Sequence, residues 1–248
     1  FLVQPNRPEG HQMTSPANIS LQSGAPAPLR DLIWAEFFVS RGRGVSLSAH
    51  APWLFTDRDL RSVTVLDGSG VAGGLVIKDH RTPDQAGVAM IGYVCVHPAK
   101  RGQHHSRLLL QTAIEDARSR GMMGVILWTQ TPQIYHHFGF QNDTRDVFAQ
   151  YPALDLVPNL SIKRDLADLN GRGLPAFATS AYRLTGPLAS ATILTTATGR
   201  AISEWVGKDD DVLDLLSSED AGPWSINAVS TDSLLVAISD RVGPCVMT

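Results

Sequence analysis

Cysteine is nearly absent from this chain of 248 residues, where only Cys95 and Cys245 occur. Two cysteines cannot build a disulfide framework, and they lack the paired spacing of a zinc site. We therefore interpret both thiols as buried or incidental. Long apolar runs are also absent, since no stretch approaches the roughly 20 apolar residues that span a bilayer. Residues 1–5 lack the charged-then-apolar order of a signal peptide, so we expect a soluble, cytoplasmic protein without a membrane partner.

An excess of either charge is missing as well. The 21 Lys and Arg residues and the 24 Asp and Glu residues give a net charge of -3, without a long basic run. Proteins that bind the phosphate backbone carry basic patches, so we predict no nucleic-acid partner. With 43% hydrophobic and 18% charged residues, the chain can bury enough apolar surface to fold. Its length suits one large domain or two unequal ones, because a typical domain has roughly 150 residues.

The first part of the chain predicts a flexible lead followed by α/β structure. Residues 1–28 hold five prolines and no apolar periodicity, which is typical of a mobile segment. Apolar spacing predicts a helix over 29–38, and the pattern around an Asp-Gly-Ser-Gly turn predicts a hairpin of strands 62–66 and 71–78. Residues 88–97 are apolar at nearly every position, which is typical of a strand covered on both faces.

A strand–helix–strand unit follows. Pro98 ends the strand because it offers no N–H to a ladder, and the next apolar residues recur at the spacing of a helix that Gly121 ends. A short strand over 125–128 comes after this helix, and such a unit favours a parallel strand pair. A short helix over 134–138, closed by Gly139, completes this half.

Beyond Phe140 the pattern is weaker and contains no chemical motif. Residues 151–175 mix prolines, glycines and charged residues and are interpreted as a connection. Further along we predict a smaller C-terminal α/β module. Its predicted elements are strands over 191–196, 201–206 and 234–238 and a helix over 209–216.

The passage from the apolar strand into the long helix holds the residues best suited to chemistry. Unpaired N–H groups at a helix start point the same way, at the positive end of the peptide dipoles, so they bind anions such as a pyrophosphate. Arg101 and Arg107 add positive charge, and Ser106 adds a hydroxyl. On these features alone, an ordinary turn before a helix remains the simpler interpretation.

Arg101 and the residues after it resemble the coenzyme A-binding stretch of the GNAT superfamily of N-acetyltransferases. The family pattern is Gln or Arg, two residues, Gly, one residue, and Gly or Ala. Arg101 opens the pattern here, whereas His104 and Ser106 stand at its two small positions. His104 places a Cβ where close backbone approach is wanted, although its amide would still donate if the residue stays helical.

Residues 134–140, Ile-Tyr-His-His-Phe-Gly-Phe, resemble the second GNAT signature, in which a tyrosine lies four residues before a Gly-Phe pair. The resemblance implies that the Tyr135 hydroxyl protonates the leaving thiolate of coenzyme A. A phenol has a pKa of about 10, close to that of a thiol, so this proton transfer is nearly balanced. The alternative is that Tyr135 is a half-buried aromatic that packs its own helix.

The resemblance runs from about residue 62 to residue 140 and implies a fold, a co-substrate and a site. The fold is a GNAT-like mixed α/β sheet, splayed and flanked by helices, with a degenerate second GNAT-like half in the C-terminal module. Acetyl-CoA is the implied co-substrate, and a small-molecule or peptide amine is the implied acceptor. The backbone of Val94, Cys95 and Val96 would pair with the pantetheine arm, while the Cys95 thiol would only pack. The implied coenzyme-binding residues are Val94, Cys95, Val96, Arg101, Gly102, Gln103, His104, His105, Ser106 and Arg107, and the implied catalytic residue is Tyr135.

The resulting domain boundaries are a flexible lead 1–28, an acetyltransferase-like domain 29–150, a connection 151–175 and a partial second module 176–248. A general base is missing, because Met90 and Ile91 stand where many relatives have a strand glutamate. His97, the pair Asp79 and His80, a water chain, or an acceptor that arrives neutral are the alternatives.

Two histidine pairs, 104–105 and 136–137, raise the question of a metal. Adjacent side chains on a helix diverge by about 100°, which is poor geometry for one ion, so we predict no metal. We therefore predict an acetyl-CoA-dependent N-acetyltransferase that works by direct amine attack. The alternative is a coenzyme A-binding or regulatory protein that kept the scaffold and lost catalysis, which His104, Ser106 and the missing glutamate would favour.

Overall fold

A computed structural model describes residues 18–81, 87–142, 146–151, 161–218, 224–229, 232–242 and 246–247. The chain forms two compact units. The first comprises residues 1–36 and 57–128, and the second comprises residues 37–56 and 129–248. The sequence-based boundaries at residues 28, 150 and 175 stay predictions. These units group the chain differently, because residues 37–56 join the second unit.

The described residues form twelve strands and six α-helices. In chain order they are β1 (Asn18–Ser23), α1 (Ala27–Phe37), α2 (Leu47–His50), α3 (Trp53–Thr56), β2 (Arg61–Asp67), β3 (Gly70–Arg81), β4 (Gly87–Val96), α4 (His105–Ser119), β5 (Gly124–Ile126), β6 (Asp146–Tyr151), β7 (Lys163–Leu166), β8 (Ala178–Thr185), β9 (Ser190–Thr196), β10 (Arg200–Val206), α5 (Asp209–Leu216), β11 (Trp224–Val229), α6 (Ser233–Val242) and β12 (Val246–Met247). Short 3-10 turns lie at Val39–Arg41, Pro98–Lys100, Pro132–Ile134 and His136–Phe138.

The first unit contains a five-stranded sheet in the order β1-β2-β3-β4-β5. Its strands are antiparallel except for β4 and β5, which run parallel and are joined through α4. The predicted parallel pair is therefore confirmed. The helix packs on the sheet through Leu109, Leu110, Ala113 and Ala117, which are buried because they recur at helical spacing on one face.

A β-bulge interrupts the pairing of β3 with β4. The register shifts between Gly74 and Val76, so β4 contributes one residue more than β3. Tyr93 lies in this bulge with a φ of 52°, which is uncommon for a residue other than glycine. Gly73 lies where the two strands approach closely, since a Cβ there would stand 2.9 Å from the carbonyl oxygen of Cys95.

The second unit contains a seven-stranded sheet in the order β12-β6-β11-β10-β9-β8-β7. Strands β7 to β10 form an antiparallel meander, and β10 runs parallel to β11 after the α5 crossover. This is the same succession of pairings as β1 to β5, as expected for a degenerate second half. The helix predicted over 209–216 has the observed bounds of α5. Its apolar face packs into a core that includes Trp224 and Ile226.

Residues 37–56 join the second unit through a buried histidine. Nδ1 of His50 donates to the carbonyl oxygen of Leu174 at 3.0 Å, because Nε2 of the same ring accepts the N–H of Val45 at 2.9 Å. The N–H of Leu174 in turn donates to the carbonyl oxygen of Ala49 at 2.9 Å. The ring also stacks on Phe38, with 4.8 Å between centroids. No local pattern predicts this attachment, since its partners lie 124 residues apart.

Three sequence-based assignments need correction. The strand predicted over 234–238 is wrong, since helix α6 covers it: Leu234, Leu235 and Ile238 are buried at helical spacing, and a short apolar run does not distinguish strand from helix. Strand β1 lies inside the predicted flexible lead, and strand β7 inside the predicted connection. Both are exposed edge strands: β7 has no alternating apolar pattern, and the alternation of β1 is limited to Ile19 and Leu21. Residues 1–17 and Cys245 lie outside the described residues.

Candidate active site

The end of strand β4 has one open edge. Strand β5 pairs only with residues 88–90, so the sheet splays beyond Met90. The N–H of His97 donates to the carbonyl oxygen of Ala72, so the groups of Val96 point away from β3, toward the splay. Val94 lies next to Tyr93 in the β-bulge, opposite the register shift of β3. The open edge therefore offers main-chain donors and acceptors to an added extended chain.

The loop between β4 and α4 begins as a tight turn. Pro98–Lys100 forms a 3-10 turn, and Nδ1 of His97 accepts the N–H of Ala99 at 3.3 Å. His97 thus acts as a cap and is exposed. Gly102 then takes a φ of 79°, which a glycine adopts at little cost.

Five consecutive backbone amides of this loop lack an intramolecular acceptor. Within the described chain, no hydrogen bond is made by the N–H groups of Gly102, Gln103, His104, His105 and Ser106. Regular bonding of α4 starts one residue later, where the N–H of residue 107 donates to a carbonyl at 3.0 Å. The row of amides lies at the N-terminus of a 15-residue helix, where the peptide dipoles add positive potential. This arrangement is suited to an anion with several oxygens.

His104 differs from the conformation expected for it. The sequence suggested a helical residue, but His104 is the N-cap of α4 with φ 60° and ψ 16°, in the left-handed region. A Cβ makes this region unfavourable by roughly 1–2 kcal/mol, which is why glycine suits the position. Its amide nevertheless remains among the five without an acceptor.

His105 is buried in an unusual way. His105 is 6% exposed, and neither nitrogen of its ring has a hydrogen-bond partner among the described residues. The adjacent histidine is exposed, so the two imidazoles point to different environments. Sequence reasoning placed both in the coenzyme site through their backbone, and the structure places both amides in the same row.

The cationic side chains around the loop are not equivalent. Lys100 Nζ lies 2.7 Å from a carboxylate oxygen of Asp67, and this hydrogen bond holds the pKa of the Asp67 carboxyl well below its usual range. Arg101 lies 2.5 Å from an Oε atom of Glu36. Arg107 is exposed and has no ion-pair partner among the described residues. Of the two arginines predicted to hold an anion, only Arg107 is therefore uncommitted.

The Cys95 side chain is buried at the end of β4. Its Sγ approaches the carbonyl oxygen of Gly74 at 3.7 Å. Burial, reinforced by the negative charge of Glu36, raises the pKa of the thiol to about 12. A thiol with this pKa holds its proton at neutral pH and is a poor nucleophile. These contacts support the interpretation of Cys95 as a packing residue.

Tyr135 belongs to the second unit, where it links two 3-10 turns. Its N–H donates to the carbonyl oxygen of Pro132, and its ring meets Phe140 edge to face, with 6.0 Å between centroids. The side chain is half-buried. Burial raises the pKa of the phenol above its ordinary value, so the hydroxyl keeps its proton across the neutral range.

The candidate bases proposed from sequence lie in three different settings. Asp79 forms an ion pair with Arg120, and His80 is exposed. Both residues pair with the first residues of β4, at the opposite end of that strand from Val96. His97 caps its own turn.

Sequence reasoning missed Glu36. Helix α1 buries Leu29, Leu32 and Ile33, and the next position on that face is Glu36. Its side chain is only 14% exposed. A carboxylate on an otherwise apolar helix face is the signal that could have identified it.

A metal centre finds no support in the described part of the chain, which contains no cluster of three or more His, Cys, Asp and Glu residues. None of its helices is long and apolar enough to cross a membrane.

Comparison with known proteins identifies the fold. Residues 83–142 match the sequence model of the acetyltransferase (GNAT) domain. A GCN5-related N-acetyltransferase from Anabaena variabilis is 13% identical, with a TM-score of 0.66 over 93% of this chain and 70% of that protein. A probable N-acyltransferase from Enterococcus faecalis, a conserved protein of unknown function, is 12% identical, with a TM-score of 0.65 over the same shares. A GCN5-related N-acetyltransferase from Kribbella flavida is 16% identical, with a TM-score of 0.57 over 89% of this chain and 66% of that protein. No curated protein matches the chain.

These matches confirm the mixed α/β fold and the resemblance inferred from Arg101 and Tyr135.

Proposed function

We propose that this chain, whose residues 83–142 carry the acetyltransferase (GNAT) signature, transfers the acetyl group of acetyl-CoA to an amine by direct attack. The observation that carries the proposal is the row of five amides without acceptors at the start of α4, next to the open edge of β4. One end of this edge would hold the thioester, and the row would hold the diphosphate.

Coenzyme binding would use main-chain groups first. The amides of residues 102–106 would donate to the pyrophosphate oxygens, and the exposed guanidinium of Arg107 would add charge. The open edges of Val94 and Val96 would pair with the amides of the pantetheine arm as an added strand. Cys95 offers no group to the arm, because its main-chain groups point toward β3, as those of His97 do, and its side chain is buried against the same strand.

The chemical step then forms one C–N bond and breaks one C–S bond. The amine nitrogen attacks the thioester carbonyl carbon, and a strand N–H near Val96 donates to the developing oxyanion. As the C–S bond breaks, the thiolate takes the proton of the Tyr135 hydroxyl. The phenol is protonated before each turnover, and because burial raises its pKa, the proton transfer to the thiolate is less balanced than with an exposed phenol.

A single substitution tests the role of Tyr135. Tyr135→Phe removes only the hydroxyl and should lower kcat by roughly 10- to 1,000-fold while coenzyme A affinity stays nearly constant. Tyr182→Phe, which removes another phenol of the second unit, serves as the control and should leave kcat within about 2-fold. Acetyl transfer to a panel of primary amines is measured together with calorimetric binding of coenzyme A. Equal turnover in Tyr135→Phe and wild type would exclude Tyr135 from the mechanism.

A second candidate is a coenzyme A-binding protein without catalysis. The left-handed His104 favours it, because the Cβ stands where a glycine permits close approach. Binding of coenzyme A without acetyl transfer to any amine of the panel would support this candidate.

A further inference from the structure

Residues 37–56 of the second unit contain two arginines, Arg41 and Arg43, and no acidic residue. Neither arginine forms an ion pair with any residue that the structure describes. Arg172 of the same unit, in contrast, pairs with Glu204. Two cations that share a short turn repel each other, so their placement without a carboxylate requires an explanation.

Both guanidinium groups meet at Phe37, the last residue of α1. Cζ of Arg41 lies 5.6 Å from the centroid of the Phe37 ring, and Nε of Arg43 donates to the Phe37 carbonyl oxygen at 3.3 Å. The second contact suits a helix C-terminus, whose carbonyl groups attract cations. It uses only one of the several N–H donors that a guanidinium carries. The helix end therefore explains the position of one arginine and leaves most donors of the pair without an acceptor among the described residues.

The two charges lie close enough to affect each other. Burial, and after it the charge of Arg41, lowers the pKa of the Arg43 guanidinium. Arginine nevertheless stays charged at neutral pH, so the turn carries two positive charges. Arg41 is exposed and Arg43 is partly buried, so an anion from solvent can reach both. Such an anion would relieve the repulsion between them.

Backbone hydrogen bonds hold this turn in place. The N–H of Arg43 donates to the carbonyl oxygen of Phe38 at 3.1 Å, and the N–H of Val45 donates to Nε2 of the buried His50 at 2.9 Å. Between them lies Gly44, whose φ of 100° suits a glycine and whose N–H has no acceptor within the described chain. The turn thus offers a free main-chain donor, and its ordering costs little on binding because it is already fixed.

We propose that Arg41 and Arg43 form a binding site for a phosphate monoester. A monoester carries a charge of about −1.5 to −2 at neutral pH, which matches the two guanidinium groups, and it offers three oxygens to their donors. Each planar guanidinium forms two parallel hydrogen bonds to phosphate oxygens. The site uses none of the residues of the amide row in α4, and it does not depend on the proposed acetyl transfer.

Nitrogen–proton correlation NMR of the full chain tests the site, because the amides of Gly42 and Gly44 belong to the turn. Methyl phosphate at low ionic strength should shift both amides in a saturable manner, with half-saturation at about 1 mM. Dimethyl phosphate carries a single charge and should require an about 10-fold higher concentration or more. Unshifted amides at both glycines, or an equal response to the two esters, would overturn the proposal.

Substitutions show which charges bind the ester. Arg41→Gln and Arg43→Gln each remove one guanidinium and should raise the half-saturating concentration by about 10-fold or more. Arg41→Lys keeps the charge but loses the planar fork, so it should bind about 3-fold more weakly than wild type. Arg172→Gln is the matched control, because it removes an arginine of the same unit that Glu204 already neutralises. It should stay within about 2-fold of wild type. An equal loss in this control would contradict the site, since binding would then follow net charge alone.

The phosphate monoester has two possible sources, the phosphate on the ribose of coenzyme A or a separate small molecule. Coenzyme A that shifts Gly42 and Gly44, while dephospho-coenzyme A does not, would assign the site to the coenzyme. Methyl phosphate that still shifts these glycines when coenzyme A is bound would assign it to a separate ligand. Both results support a monoester site.

The same spectra separate this inference from the proposed function, because the amide of Gly102 reports on the row in α4. If coenzyme A leaves Gly102 unshifted while methyl phosphate shifts Gly42 and Gly44, the proposed function fails and the monoester site stands. If coenzyme A shifts Gly102 and methyl phosphate leaves the two glycines of the turn unshifted, only the monoester site is overturned.

Discussion

The β4-α4-β5 motif of the first unit and the β10-α5-β11 motif of the second unit have the same topology, but they differ in the loop that leads into the helix. In each, a parallel strand pair is joined through a helix, and an antiparallel meander precedes it. Between β4 and α4 the chain runs through eight residues, 97–104, with positive φ at residues 102 and 104. Between β10 and α5 there are only Gly207 and Lys208. The amides of residues 208–211 at the start of α5 also have no acceptor among the described residues, so the two helix starts differ in the length and backbone conformation of the loop rather than in having free amides.

The charges at the two helix starts are opposite. The first turn of α5 contains Asp209, Asp210 and Asp211, whereas that of α4 contains no acidic residue and is followed by the exposed Arg107. Acidic residues stabilise a helix N-terminus and repel a second anion, so the start of α5 is unsuited to an anion, whereas the start of α4 suits the anion proposed for it. The two motifs have the same sheet topology, so any difference in ligand binding depends on the loop that precedes each helix.

The largest expected effect comes from giving α4 the charge of α5. Ser106→Asp places a carboxylate in the amide row and should weaken coenzyme A binding by about 100-fold or more, because like charges at close range repel strongly. Thermal stability should stay equal or rise, since an acid suits a helix start. The reverse change, Asp210→Ser in the second unit, should leave coenzyme binding unaltered. Calorimetry with the full chain measures both, and tight binding by Ser106→Asp would refute the anion site.

The next largest effect concerns the stability of the first unit at alkaline pH, which depends on the buried Cys95 thiol. Burial raises the pKa of Cys95 to about 12, so the folded state keeps a proton that the unfolded state releases above about pH 8.5. The buried thiol therefore contributes its full stabilisation to the free energy of unfolding below that pH. This contribution falls by about 1.4 kcal/mol per pH unit as the pH rises toward 12. Urea unfolding between pH 7.5 and 10 should show this slope in wild type and a flatter one in Cys95→Ser. Parallel slopes would show that the thiol does not titrate as a buried group.

The two buried histidines offer a third contrast, between a satisfied and an unsatisfied imidazole. His50 in the second unit uses both ring nitrogens, whereas His105 in the first uses neither among the described residues. His105→Leu should raise the free energy of unfolding by about 1–2 kcal/mol, because an unpartnered polar group is replaced by an apolar one. His50→Leu should lower it by a similar amount, since it leaves buried backbone groups unpaired. Circular dichroism with urea measures both, and a loss in His105→Leu would indicate an unseen partner for that ring.

The smallest expected effect concerns residues whose backbone lies in the left-handed region. His104→Gly should stabilise the chain by about 0.5–1 kcal/mol and tighten coenzyme A binding, because it removes a strained Cβ from the loop. Asn170 has a φ of 50° in the second unit, and its N–H donates to Asp168 at 2.8 Å. Since asparagine tolerates this region, Asn170→Gly should change stability by less than about 0.5 kcal/mol. Equal shifts in the two variants would show that His104 is not strained.

The sequence alone determined the elements whose signals are local. The apolar spacing of α4, the stop at Pro98, the turn before β3 and the bounds of α5 all depend on neighbouring residues, so each could be read from the chain. The same holds for the order of the coenzyme motif and Tyr135. Strand β1 and helix α6 were not predicted, because the alternation of β1 is limited to Ile19 and Leu21 and the apolar run of α6 is too short to distinguish helix from strand.

Only the tertiary structure decided the conformation of His104, the burial of His105 and the pairing of Arg101 with Glu36. The last two residues are 65 positions apart, and their contact exists because α1 and the end of β4 pack in the same unit. Periodicity and caps act over a few residues, whereas contacts of this kind depend on how whole elements pack. The sequence therefore located the loop that we propose for the coenzyme, and the fold supplied the carboxylate beside it.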